Sequence, residues 1–252
     1  MVFNGGNGYA VHHPDNAHVP SSLFALNGRI YLGQDGAGGE LCVFDFVEDF
    51  AWMIDGYAAN HVSRGPLVNR NTTQTGTSLG GSILVNSVVN DVAATIVEGA
   101  EIGALGLPIP TVAVATDGGV SVIHPNGDVY DLAANASSYR HTAYVDFTAD
   151  KRLVFGMDTS ANSAAPRFCY NKPIPYVDNL QLNDTTSSTA DKDASTNSTA
   201  FVPNVGIGLA GVSKRVVAGD VDAFANANGL SILKRNEGNF EEGAVAYVTS
   251  TY

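Results

Sequence analysis

The chain is patterned in short apolar runs broken by Gly, Asn and Asp, and a helical period is almost absent. Residues Arg29 to Gly33 lead through an Asp35-Gly-Ala-Gly-Gly turn to Glu40–Phe46. Thr111–Thr116 leads through Asp117-Gly118-Gly119 to Val120–His124, and Asn126-Gly127 then leads to Asp128–Leu132. Asp-Gly and Asn-Gly suit turns that need positive φ, so these runs predict tight antiparallel hairpins. Tyr144–Thr148 and Arg152–Met157 pair in the same way across Ala149-Asp150-Lys151. Further strands are expected at Ser82–Val89, Val92–Val97, Val216–Ala218, Leu230–Leu233 and Val245–Val248.

The hairpins repeat. Gly119-Val-Ser-Val-Ile matches Gly229-Leu-Ser-Ile-Leu, and Gly39-Glu-Leu-Cys-Val holds the same place near the start. Thr111 to Met157 holds about five strand candidates in a length close to one propeller blade. The expectation is an all-β fold of antiparallel hairpin repeats, propeller-like, with a β-sandwich as the alternative. Residues 1–20, rich in Gly, Asn, His and Pro, read as an irregular arm, and 21–252 as the β-repeat domain. Asn183 to Ala200 is Ser/Thr-rich and lacks large apolar residues, so it reads as an exposed insertion that cannot offset its ordering entropy by burial.

Composition narrows the partners. The 252 residues carry a net charge of −12, and their 13 Lys and Arg are scattered, with Lys151-Arg152, Lys214-Arg215 and Lys234-Arg235 forming pairs and not a patch. Phosphate binding needs clustered cations, so a nucleic-acid partner and an anionic membrane surface are disfavoured. Charged residues make up only 15%, and with 27 glycines the surface is solvated by amides and hydroxyls more than by ions. No apolar run approaches the roughly 18 residues of a membrane span, and no basic region followed by an apolar one opens the chain. Neither membrane insertion nor ordinary signal-peptide export is expected.

Candidate chemistry is sparse. His12, His13 and His18 with Asp15 offer metal-ligand atoms, but adjacent histidines on an extended chain point to opposite faces. Asp220-Val-Asp222 followed by Asn226-Ala-Asn228-Gly229 faintly resembles a calcium loop, yet Phe224 stands at a ligand position and the closing glutamate is missing. Turn formation accounts for these aspartates, as for Asp35, Asp117 and Asp150. Cys42 and Cys169 lie in apolar runs and read as buried thiols, with a disulfide between them as the alternative. Glu48-Asp49 and Glu241-Glu242 are sequence neighbours, which does not set two carboxylates across a substrate. There is no Gly-x-Ser-x-Gly, and Gly5-Gly-Asn-Gly and Gly36-Ala-Gly-Gly lack the lysine of a phosphate loop. Asn71, Asn135, Asn183 and Asn197 open Asn-x-Ser/Thr sites that matter only in a secretory host. Trp52 is the sole tryptophan, so a sugar-stacking platform would have to rest on tyrosines. No catalytic, cofactor-binding or metal-binding residue is assigned.

Ile109-Pro-Thr-Val-Ala-Val-Ala-Thr-Asp-Gly-Gly-Val-Ser-Val-Ile and Tyr144-Val-Asp-Phe-Thr-Ala-Asp-Lys-Arg-Leu-Val-Phe resemble β-propeller-like repeats of virion structural proteins of marine tailed bacteriophages. Gly229-Leu-Ser-Ile-Leu-Lys-Arg-Asn and Gly243-Ala-Val-Ala-Tyr-Val-Thr-Ser-Thr-Tyr look like the same family. The resemblance implies a tail- or appendage-associated virion protein that acts by assembly with other virion subunits or itself, with a host-surface glycan as a further partner. It carries no catalytic residue across and implies no cofactor. The chain stops at Tyr252 on a strand-like run, so the repeat is expected to be incomplete or completed by a neighbouring subunit. A carbohydrate-binding or carbohydrate-active propeller is the alternative.

Overall fold

The structure, a computed structural model, describes residues 19–35, 40–48, 50–55, 61–64, 84–134, 140–158, 168–182, 194–195, 216–218, 221–226, 229–234 and 244–249. These contain strands and turns and no helix. The strands are β1 Val19–Leu26, β2 Arg29–Asp35, β3 Glu40–Asp45, β4 Phe50–Asp55, β5 His61–Arg64 and β6 Val89–Thr95. There follow β7 Thr111–Thr116, β8 Gly119–Ile123, β9 Val129–Ala134, β10 His141–Phe147, β11 Leu153–Asp158 and β12 Phe168–Lys172. The last are β13 Asn179–Leu182, β14 Ala194–Ser195, β15 Val216–Ala218, β16 Val221–Asn226, β17 Gly229–Lys234 and β18 Ala244–Thr249.

They form four sheets, ordered β1-β2-β3-β4-β5, β13-β9-β8-β7-β6, β10-β11-β12-β14 and β15-β16-β17-β18. Each holds a run of three or more strands in consecutive chain order, which is the organisation of propeller blades and not the Greek-key crossover of a sandwich, and β13 and β14 add at the edges of two of them. The fold is therefore all-β and propeller-like, and no sheet closes on itself among the described residues. The internal sequence repeat has a structural meaning. The Gly39, Gly119 and Gly229 segments lead into or form β3, β8 and β17, each the third strand of its meander in chain order.

By compactness the chain divides into residues 1–116 with 121–129, and 117–120 with 130–252. In the first unit one face of the β1–β5 sheet is set by the row Phe24, Tyr31, Val43 and Trp52, paired in register across four strands. These pack with Leu41, Ile54, Leu84, Val89, Val92, Ala94, Val112 and Val114 into one core. The alternate residues Leu32, Cys42, Phe44 and Ala51 form a second apolar layer, so this sheet is apolar on both faces. A one-residue slip would exchange the two layers, which fixes the register. The core brings β2 close to β6: a Cβ on Gly33 would lie 2.7 Å from Val89 Cγ1 and 3.2 Å from Val92 Cγ2. Side chains add polar ties there, with Ser21 Oγ donating to the Val89 carbonyl at 2.6 Å and Ser22 Oγ to Asp91 Oδ1 at 2.6 Å.

In the second unit β10 and β11 bury Val145, Phe147, Leu153, Phe155 and Met157. Tyr144 and Gly156 are register partners, and a Cβ on Gly156 would lie 2.9 Å from Cζ of the Tyr144 ring. The ring fills the space that only glycine leaves.

Several expectations are corrected. Strand β1 begins at Val19, inside the segment read as an arm, and its hairpin to β2 turns on Asn27 (φ 50) and Gly28 (φ 75). Both turn residues are left-handed, as a two-residue primed turn requires. In the expected strand Ser82–Val89, the described residues 84–88 are bends and irregular chain; β6 starts only at Val89. The hairpin pattern is not universal, because β13 joins β9 in parallel. Within the expected insertion, Ala194–Ser195 pairs with β12 as β14, through Ser195 with Cys169 and Ala194 with Tyr170. The remainder of 183–200 lies outside the described residues.

Candidate functional site

Among the described residues the sequence candidates do not converge. His12, His13, His18 and Asp15 lie outside the described residues, as do Asp220, Asn228 and Glu241-Glu242. Asp222 is not a turn residue: it sits within β16, paired with Val217 and Leu233, while Asn226 and Gly229 close the β16–β17 hairpin. A strand interior holds its neighbours on opposite faces, so the loop-like ligand set is undone. Cys42 is fully buried; the Cys169 side chain is not described. Trp52 packs against the core and forms no exposed platform. Among the described residues no group of three or more His, Cys, Asp or Glu could hold a metal ion, and no helix is long and apolar enough to cross a membrane.

Among the described residues Arg29 and Asp45 form a buried polar pair, with the exposed Glu48 at its edge. Arg29 Nε donates to Asp45 Oδ2 at 2.6 Å, and Arg29 Nη2 stands 3.6 Å from Glu48 Oε1. Asp45 Oδ1 accepts from the Val47 and Glu48 amides at 2.8 and 2.9 Å, which shapes the turn between β3 and β4. Burial pushes the Tyr31 phenol up to about 12, although neighbouring Arg29 pulls it down through charge and a hydrogen bond. Asp45 accepts on both oxygens from donors within the fold, so the pair locks a corner.

Two surfaces are different. The connection from β6 to β7 carries a small hairpin in which Ile102 bridges Pro108. The Gly103 amide donates to the Leu107 carbonyl at 2.8 Å, Ile109 to Glu101 at 2.7 Å, and Asn27 Nδ2 to the Pro108 carbonyl at 2.9 Å. This well-tied loop nevertheless exposes Ile102 (64%), Leu105 (67%) and Leu107 (41%).

The second surface is built where the chain leaves β12 for β13. Lys172 and Leu182 are buried at either end, and Pro173 and Pro175 stiffen the connection by fixing φ. Strand β13 pairs with β9 through Asn179 with Leu132 and Leu182 with Ala134. The Asp131 amide extends that pairing by donating to Asp178 Oδ1 at 2.9 Å. The result sets Tyr130 beside Tyr176, ring centroids 6.4 Å apart and planes tilted by 51°. Tyr176 (65%), Val177 (72%) and Leu180 (43%) remain exposed. Beyond the need for tyrosines this surface is not legible in the sequence, because Asp131 and Asp178 stand 47 residues apart.

No protein-family model matches the chain, and no curated protein matches it. Among solved structures it is similar to YCF48 bound to D1 peptide, with 8% identity, TM-score 0.41, and 90% of this chain and 66% of that one covered. It is also similar to the Pan2 WD40 domain of Neurospora crassa, with 10% identity, TM-score 0.41, and 94% and 68% covered. The GH43 endo-arabinanase of Bacillus licheniformis aligns at 11% identity, TM-score 0.34, and 89% and 97% covered. The chain spans just under two thirds of the YCF48 chain. Likenesses this weak carry no argument about activity, ligand or partner, and the assignment to a propeller-like class rests on the strand order.

Proposed function

We propose that this is a virion structural protein, tail- or appendage-associated, that works by assembly and surface contact. The reading starts from the sequence resemblance to virion β-repeats. The observation that carries it furthest is the Ile102–Leu105–Leu107 loop, which is hydrogen-bonded in place yet presents three large apolar side chains to water. Exposed apolar side chains grouped on an ordered loop suit a protein–protein contact, here with another virion subunit or a second copy. The acidic, charge-poor surface fits a protein that must stay unbound to nucleic acid during assembly.

A glycan-binding module is the second reading, favoured by the Tyr130–Tyr176 pair. The virion assignment is tested by mass spectrometry of purified particles. Recovery of the tryptic peptide 153–167 from banded particles is the expected result. Its absence from particles whose lysate contains the protein would refute the assignment.

A further inference from the structure

We propose that the Tyr130–Tyr176 surface is a binding site for a neutral saccharide. The proposal deepens the surface-contact reading and rests on it for a biological role, but the chemistry stands on the site alone.

Tyr176 is 65% exposed, so burial does not explain the placement of its ring. The ring is also not loose. It lies against Tyr130, whose side chain is half-buried on β9, and the connection that carries it has prolines at 173 and 175. A fixed, solvated aromatic face suits the apolar C–H face of a pyranose, since the cost of ordering the ring is met before binding. A tilt of 51° between the two rings presents an angled surface instead of a flat stack.

Polar recognition is at hand. Asp178 is exposed and uses Oδ1 to accept the Asp131 amide at 2.9 Å. A carboxylate has two oxygens and about four acceptor positions, so accepting one amide leaves capacity for sugar hydroxyls. The same carboxylate chooses among saccharides. Asp178, two residues from Tyr176 and bonded to the amide that follows Tyr130, repels uronates, sialates and sulfated sugars on a chain of net charge −12. Neutral hexose polymers are the class that fits.

The full chain is titrated calorimetrically with neutral oligosaccharides (gluco-, manno- and galacto-oligomers) and with an oligouronate of equal length. Saturable binding of at least one neutral series is expected, with the oligouronate weaker by about tenfold or more. Tyr176→Ala should weaken binding by about tenfold or more, whereas Tyr176→Phe should retain it, because the ring and not the hydroxyl makes the contact. Thermal melts of both variants should match the parent. Binding unchanged in Tyr176→Ala, binding to none of the neutral series, or preference for the oligouronate would each overturn the proposal. The outcome is separable from the virion assignment: particles containing the 153–167 peptide with no saccharide binding refute this site alone.

Discussion

Arg29 and Asp45 are register partners at the ends of β2 and β3, and their side chains meet at 2.6 Å with almost no solvent on either. Asp45 simultaneously accepts two backbone amides from the turn that follows it. Removing the carboxylate leaves a buried guanidinium and orphaned turn amides together. Asp45→Ala should therefore destabilise the protein by about 3–5 kcal/mol. Replacing both residues by apolar ones should cost less than the Asp45 change alone. Urea denaturation of the three variants measures both differences.

Tyr31, in the same corner, gives an alkaline signature. Its phenol stays neutral in the folded protein up to about 12, against 10.0 for the ordinary value. The unfolded chain thus loses its proton first as pH rises. Stability from this group is complete below pH 10 and is lost as pH climbs towards 12, by roughly 1–3 kcal/mol in all. Tyr31→Phe should flatten that part of the stability–pH curve, read by denaturant melts at pH 9, 10, 11 and 12.

Gly33 stands where β2 approaches β6. Its added Cβ would meet Val89 and Val92 side chains at 2.7 and 3.2 Å, in a core already filled on that side. Gly33→Ala should destabilise by about 1–3 kcal/mol through overpacking. Val89→Ala in the same chain should recover part of the loss if the clash is the cause, as a double-mutant cycle would report.

Lys151 closes the β10–β11 hairpin at φ 65, a left-handed conformation that a lysine side chain disfavours. Glycine fits that conformation without steric cost but loses more entropy on folding. Lys151→Gly should stabilise by about 0.5–1 kcal/mol. A rise in melting temperature is the check.

The parts legible in the sequence were those governed by local chemistry. Asp117-Gly118 and the alternating valines around it announced β7 and β8, and the recurring Gly-led motif marked equivalent strands. Asn27-Gly28 was an equally strong hairpin signal, and it locates β1 once Phe24 and Leu26 are seen to alternate with exposed Leu23 and Ala25. Ser82–Val89 misled because apolar residues also line irregular chain: Leu84 is buried there without being in a strand. The candidate site was hidden for a different reason. Tyr130 meets Tyr176 only because β13 adds in parallel to β9, and no turn motif records a pairing between distant segments. Nor does any periodicity distinguish an exposed Tyr176 from a buried Tyr144.

The proposed role in surface contact is tested most directly by presenting the purified full chain to host-envelope polysaccharide while following retention and the release of reducing ends together. The protein should be retained, and reducing ends should stay at the level of the polysaccharide alone. Saccharide release that a single Asp or Glu substitution abolishes would contradict that role.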